Sequence, residues 1–366
     1  SGIWVQSCGD CHLANFGVYA ALDGTPVFDV NDFDETLPAP FEWDLKRLAT
    51  SVAVDARGRL LPPRTCRDLA RSVVAGYRQH MAKLMRLDPQ HAWWLRVDVT
   101  KVLQDIDEPK LRQRELKRLH IAAEAQRTGY RRLLERRKAG WRIRPQRPLI
   151  SSSPSSNDNT LEVVARTAFE AYKVSQPEDR GVLLDRYRLA DVAFKVVGIG
   201  SVGTFCALGL FTNCDGATLL LQLKEAQQSV LAPHTAPSVY ADQGQRVVTG
   251  QRIMQGEHDI FLGWTQEHGS DQYCYVRQLK DSRLSAVGDR IADAALPYYA
   301  PLCGITLARA HARSGDAARI AGYIGSSGSF DAAIADFAMA YAVQVESDWR
   351  LFVDAIKAGA IEARAD

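Results

Sequence analysis

The residues best suited to chemistry lie near the start of the chain. Gly9-Asp10-Cys11-His12-Leu13-Ala14-Asn15 is followed, seventeen residues after Asn15, by Asp32 in Phe28-Asp29-Val30-Asn31-Asp32-Phe33-Asp34-Glu35. An acid that can take a hydroxyl proton, an amide oxygen and a second carboxylate are the groups that ATP-dependent phosphoryl transfer uses. Mg²⁺ is a hard cation that takes oxygen ligands and bridges nucleotide phosphates. The residue types therefore assign Asp10 to orienting and deprotonating an acceptor hydroxyl, and Asn15 and Asp32, with Asp34 beside them, to Mg²⁺. His12 stands with Asp10 as a catalytic candidate, although its position in the loop suits a structural donor better than a base. An acidic run such as Asn31 to Glu35 is by itself usually a solvated turn. Here it accompanies Asp10, His12 and Asn15, which sit between apolar strand residues.

The elements that must position these groups can be read from periodicity. Ile3 to Gln6 is a short apolar run, and Val18 to Ala21 pairs with Pro26 to Phe28 across the Asp23-Gly24 turn. That hairpin would bring Asn15 and Asp32 to neighbouring ends. From Trp43 to about Glu135 the spacing is helical, as in Leu45, Leu48, Ala49 and Val52, or Leu69, Val73, Val74, Tyr77 and Met81. Ser151 to Asn159 is too polar to pack and reads as a surface loop. Strands are expected over Ala193 to Val197, Thr204 to Phe211, Thr218 to Leu223 and Gln272 to Gln278, a helix over Asp242 to Gln255, and helices from Leu284 to Ala363 with breaks near 322–329.

Between the first two of those strands lies Gly198-Ile199-Gly200-Ser201-Val202-Gly203. A dinucleotide fingerprint would run from strand into helix, whereas glycines between two strands suit a hairpin that covers phosphates. Lys224 ends the next strand, and a lysine closing an apolar strand needs an anionic partner such as nucleotide phosphate. Gly198, Gly200, Ser201, Gly203 and Lys224 are thus the nucleotide-binding candidates. Glu225 would point to the opposite face, which leaves Glu257 or Gln251 as partners for Lys224.

Bulk properties set limits on function. With 366 residues, of which 46% are hydrophobic, the chain can bury two cores. A formal charge of +2, from 45 basic against 43 acidic side chains, gives no global case for nucleic acid or membrane. No apolar stretch approaches the roughly 20 residues of a membrane span. Seven scattered cysteines fit free thiols in a reducing cytoplasm. The chain opens on Ser1 and lacks an initiator Met, which suits a trimmed chain with residues missing upstream. Cys8-x-x-Cys11 lacks the second pair that a tetrahedral zinc site requires. His311 and Asp316 imitate a second catalytic loop, but Ala321 stands where the asparagine would be, so a structural or substrate-facing role is expected. The basic segment 110–148, rich in arginine and carrying Trp141, could meet RNA or an anionic substrate. Interleaved Glu115, Glu124 and Glu135 make a solvated helix face the commoner reading.

Gly-Asp-x-His-x-x-Asn followed by Asp-Phe-Asp resembles the catalytic and metal loops of aminoglycoside phosphotransferases and related kinase-like small-molecule kinases. Glu42-Trp43-Asp44-Leu45 with Arg47-Leu48 resembles the helix start after the metal loop in those enzymes, where an aspartate buttresses the catalytic loop. Over nearly its whole length the chain also resembles the bacterial family called domain of unknown function 2252. That likeness extends to Leu223-Lys224-Glu225-Ala226, Gly250-Gln251-Arg252, Val276-Arg277-Gln278 and Ala308 to Asp316. Ordinary kinases place the glycine hairpin and lysine before the catalytic loop, and here they follow it by about 190 residues. A circularly permuted chain could assemble the same site.

The resulting expectation is an α+β, two-lobed protein-kinase-like fold, circularly permuted, with a small antiparallel β lobe and a large helical lobe. Residues 1–190 would form the catalytic lobe, 191–283 the nucleotide-binding β lobe, and 284–366 helices completing the catalytic lobe. The expected function is ATP- and Mg²⁺-dependent phosphoryl transfer to a hydroxyl of a small molecule, in the cytoplasm, with no membrane or protein partner. Protein acceptors fit less well, because no activation segment separates Asp32 from Glu42. A nucleotide-binding regulatory module, an AMP-transferring enzyme and a nucleic-acid binder using 110–148 remain open alternatives.

Overall fold

A computed structural model of the chain describes residues 1–21, 23–104, 106–138, 140–147, 149–151, 159–196, 204–266, 272–279 and 292–362. Among these residues it is a mixed α+β protein of eleven α-helices and four antiparallel sheets. None of these helices is long and apolar enough to cross a membrane.

Five short strands come from the first hundred residues: β1 (Trp4–Ser7), β2 (Phe16–Ala20), β3 (Pro26–Val30), β4 (Leu37–Pro40) and β5 (Val97–Asp98). The β2–β3 hairpin forms as expected, with Val18 opposite Phe28. Asn31 N donates to Asn15 O at 2.8 Å, so the two motif ends are neighbours. β1 pairs with β4, a partner that its apolar run alone does not specify. α1 (Phe41–Gly58) and α2 (Pro63–Leu84) bury the apolar stripes read from the sequence, and α2 starts on a proline whose fixed φ suits a first turn.

Three further helices follow: α3 (Pro89–Trp94), α4 (Val99–Gln104) and α5 (Pro109–Thr128). The helical pattern expected to reach Glu135 ends at Thr128, and the rest of the basic segment folds as a hairpin of β6 (Leu134–Arg137) and β7 (Gly140–Ile143). This corrects the solvated-helix reading for the second half of the segment, which holds Glu135, while α5 keeps Glu115 and Glu124 on a helix. Leu134 and Ile143 are buried against the sheet residues Leu208, Leu210 and Leu220, and that gain outweighs the hairpin's arginines, which stay at its rim.

Next come β8 (Ile150–Ser151), α6 (Asn159–Ser175), α7 (Glu178–Leu184), β9 (Arg188–Lys195), β10 (Cys206–Thr212), β11 (Thr218–Glu225), α8 (Gln243–Met254), β12 (Gly263–Gln266) and β13 (Tyr273–Gln278). They build a six-stranded sheet ordered β12-β13-β11-β10-β9-β8. Strand alternation divides its side chains. Val192, Ala207, Phe211, Leu219, Leu221, Leu223 and Val276 pack on Phe169 and Tyr172 of α6. The opposite face is apolar under the β6–β7 hairpin and polar at its other end, where Gln222, Lys224, Tyr275 and Arg277 project. Elements from Leu134 to Leu184 therefore pack on the sheet, so the sheet side of the molecule begins well before residue 191.

The C-terminal helices α9 (Leu296–Ala312), α10 (Ala317–Ile324) and α11 (Ser329–Lys357) share one core with α1, α2 and the N-terminal strands. α9 and α2 touch backbone to backbone, since a Cβ on Gly304 would lie 2.0 Å from Val73 O. All seven cysteines are free thiols, and only Cys214 is exposed.

Candidate functional site

The Asp10 loop rests on a buried layer of hydrogen bonds. Asp44, in the first turn of α1, accepts Cys8 N at 2.8 Å and Gly9 N at 3.1 Å. A helix N-terminus favours this negative charge. His311 of α9 sits with Nε2 3.2 Å from Asp44 Oδ2, and Tyr77 OH lies 2.9 Å from its Nδ1. With the proton on Nε2, His311 donates to Asp44 and accepts from Tyr77, which satisfies all three groups. His311 therefore has the structural role, and Asp316 caps α10 by accepting Ala318 N and Arg319 N. Gly9 adopts φ +85°, and a Cβ there would come 2.2 Å from Glu35 O, so only glycine lets the loop meet the Asp32 segment.

Cys8, Cys11 and Asp44 offer ligand atoms within 4.8 Å of one another. Burial, followed by contact with each other and with Asp44, pushes the Cys8 thiol well up, and burial raises that of Cys11. Both sulfurs therefore stay protonated, and Asp44 spends its oxygens on backbone N–H groups and His311. This cluster builds the floor of the loop.

Above the floor lie the predicted groups. Asp10 is about half exposed; its Oδ1 accepts Arg47 Nε at 2.9 Å and its Oδ2 lies 3.6 Å from His12 Nε2. His12 acts as an acceptor, capping a short 3₁₀ turn through Nδ1 from Ala14 N at 3.3 Å. Burial lowers the His12 pKa, with Arg47 adding to this, while Asp10 and Asp32 raise it. Asn15 Nδ2 donates to Asp10 O at 2.8 Å, which turns its Oδ1 away from the loop. Asp32 Oδ1 accepts Asp34 N at 3.3 Å. Burial and the neighbouring Asp34 raise the Asp32 pKa, and Lys224 and Arg277 oppose them.

Lys224 of β11, itself buried, forms an ion pair with the partly buried Asp34, joining segments 190 residues apart. Tyr275 OH donates to the other oxygen, Asp34 Oδ1, at 2.7 Å. The expected partners are not used. Glu257 pairs with Arg96, and Gln251 Nε2 donates to Gln255 Oε1 at 2.9 Å, both away from Lys224. The reason is compositional: α8, which follows the lysine strand, contains no acidic residue, so the acid comes from the Asp32 segment itself.

Arg246, Glu35 and Tyr275 complete the arrangement and were not apparent from spacing. Buried Arg246 donates to Asp34 O, Thr36 O and Gln227 O at 2.7–2.8 Å, fixing the backbone on which Asp34 sits. Glu35 Oε2 accepts Val230 N at 2.7 Å, and Ser229 Oγ donates to Glu35 O at 3.0 Å. The one signal for Tyr275 was its place two residues before Arg277 on a strand, which puts both on one face. Gly198, Gly200, Ser201 and Gly203 lie outside the described residues, between β9 and β10.

A second buried pair fixes the hairpin to the C-terminal helices. Asp29 meets Arg309 of α9 and also accepts Val30 N and Gly256 N, each at 2.9 Å. The two charges neutralise each other and Arg309 Nη2 also donates to Met254 O at 3.0 Å, while Arg309 Nε and Nη1 are buried without a partner among the described residues.

A profile of uncharacterized proteins conserved in bacteria matches residues 1–355. The chain belongs to that family, domain of unknown function 2252. Every residue of the floor and of the layer above it falls within the span shared with the domain of unknown function 2252 family. No curated protein and no solved structure matches the chain.

Proposed function

We propose that the chain is an ATP- and Mg²⁺-dependent phosphotransferase that acts on a hydroxyl group of a small molecule. The observation that carries this reading is the Lys224–Asp34 ion pair, which joins the sheet beside the glycine segment to the loop pair holding Asp10, Asn15 and Asp32. The order of a strand pair enclosing glycines, a lysine strand, a helix and two more strands also resembles the nucleotide lobe of kinase-like enzymes, in support of a permuted kinase-like fold.

The donor set fits a hard dication. Asn15 Oδ1 and Asp32 Oδ2 have no hydrogen-bond partner among the described residues, and Asp32 carries a charge that burial disfavours. Asn15 and Asp32, with Asp34 once released, would hold Mg²⁺, which would supply charge neutralisation on the phosphates. Lys224 exchanges Asp34 for nucleotide phosphate, a step that costs little because one anion replaces another. Asp10 presents Oδ2 to the acceptor hydroxyl while Arg47 fixes Oδ1, so one carboxylate oxygen remains directed at the proton to be taken.

Incubation with ATP labelled at the α- or γ-phosphate tests the proposal. γ-Label should move to a small-molecule acceptor, and Asp32→Ala should stop it. Movement of the α-label instead would convert the assignment to AMP transfer. If Mg·ATP neither binds nor raises the melting temperature, the nucleotide site is wrong.

A further inference from the structure

Arg277 has no place in the scheme above. On β13 it stands directly opposite Gln222, as Tyr275 stands opposite Lys224, so Arg277 and Lys224 project from one face of the sheet. Diagonal positions of this kind lie roughly 7–8 Å apart at the backbone, within reach of a single polyphosphate chain for side chains of this length. The two cations differ in their commitments. Lys224 is tied to Asp34, whereas Arg277 makes no ion pair among the described residues. Its Nε donates to Gln222 Oε1 at 3.2 Å, its Nη1 reaches Asn31 O only at 3.4 Å, and its guanidinium lies 5.8 Å from the centre of the Tyr275 ring.

The side chain is partly buried, and among the described residues none of its nitrogens is buried without a partner, so the unpaired edge of the guanidinium stays open to a ligand. Burial works against its charge, yet Tyr275, Asp32 and Asp34 together hold the Arg277 pKa above its ordinary value. The guanidinium is held by Gln222 and Asn31 O beside the Asp32 segment without pairing with a carboxylate among the described residues. A planar fork with a spare edge suits two phosphate oxygens at once, which an ammonium cannot match.

We infer that Arg277 is a second phosphate-binding residue, which with Lys224 grips the phosphate chain of the nucleotide from the sheet side. This rests on the nucleotide site proposed above. Recognition would then lie in the phosphates, with Gln222 holding the Arg277 fork at the correct height.

Calorimetric titration of wild type, Arg277→Gln and Arg277→Lys with Mg·ATP and with Mg·tripolyphosphate tests this. Arg277→Gln should weaken both ligands by the same factor, on the order of ten- to a hundredfold. Arg277→Lys should recover part of the loss, and the ligand-free melting temperatures should stay within a few degrees of wild type. Wild-type affinity for both ligands in Arg277→Gln overturns the inference, as does a loss confined to ATP, which would move the guanidinium to the base or ribose. Wild type that binds Mg·ATP but not Mg·tripolyphosphate also overturns it, and leaves the nucleotide site standing. Wild type that binds neither sinks that site and the inference with it. Should Arg277→Gln fail to fold, Arg277→Lys decides: binding severalfold weaker than wild type upholds the bidentate grip, and equal binding rejects it.

Discussion

The floor beneath the Asp10 loop and the layer above it are built from the same residue types and arranged in opposite ways. Below, Asp44, His311, Tyr77 and two backbone N–H groups form a closed set, and each donor has its acceptor. Above, Asn15 and Asp32 each keep an oxygen unshared among the described residues, and Arg277 keeps an edge of its guanidinium. A satisfied buried network stabilises a single conformation, whereas an incomplete one costs stability until a ligand completes it. The floor is therefore fixed by its own hydrogen bonds, whereas the upper layer leaves polar atoms open.

The largest effect should come from emptying the upper layer. Lys224→Ala or Asp32→Ala is expected to lower γ-phosphoryl transfer on the order of a thousandfold. Asp32→Ala should do so with little change in the unfolding midpoint, whereas Lys224→Ala also breaks the Asp34 ion pair and should lower that midpoint. Transfer within tenfold of wild type in either variant would show that the open groups are not the site. Removing the centre of the floor should do the reverse: Asp44→Ala leaves Cys8 N, Gly9 N and His311 without an acceptor, and should destabilise the fold by on the order of 3–5 kcal/mol in denaturant titration. A loss under ~1 kcal/mol would mean the two layers are not distinct.

Acid sharpens the contrast. Burial, then Lys83 and Arg309, pushes His80 of α2 down to about 4. As pH falls below the ordinary histidine value of about 6.5, the unfolded chain takes this proton first, so stability should decline across the window down to about 4, by at most ~3 kcal/mol. His80→Asn should flatten that limb of the pH–stability curve. Asp32 has the opposite sign. Its folded-state pKa is raised, so the folded protein binds the proton more tightly than the unfolded chain, and its charge costs stability at neutral pH. Asp32→Asn should therefore raise the ligand-free stability at pH 7 while removing nucleotide binding. Unchanged or lower stability would place Asp32 among the structural groups.

Local signals carried far in this chain. The β2–β3 hairpin follows from alternation and an Asp-Gly turn, and α8 lies within the expected span Asp242 to Gln255, with Asp242 capping it by accepting Gln245 N at 2.9 Å. Where the outcome depended on distant partners, spacing was silent. Leu37 to Pro40 contains two prolines and carries no strand signal, yet it pairs with β1 because edge strands tolerate missing N–H groups. The β6–β7 hairpin was hidden by its arginines, which mask the two residues it buries. Asp34 was legible as an acid but not as the partner of Lys224, since 190 residues of chain separate them. Arg246 could not be recognised because its acceptors are carbonyls, which every residue possesses.

The floor also has a consequence in time. Asp44 waits 267 residues for His311, and Asp29 waits 280 for Arg309. During synthesis, the loop carrying Asp10 emerges well before α9, yet it cannot be fixed until α9 has followed. Contacts of such separation are slow to form and leave early segments exposed. Fragments ending before α9 should therefore lack an ordered loop however well their own helices form, and the loop should become fixed only once α9 has docked.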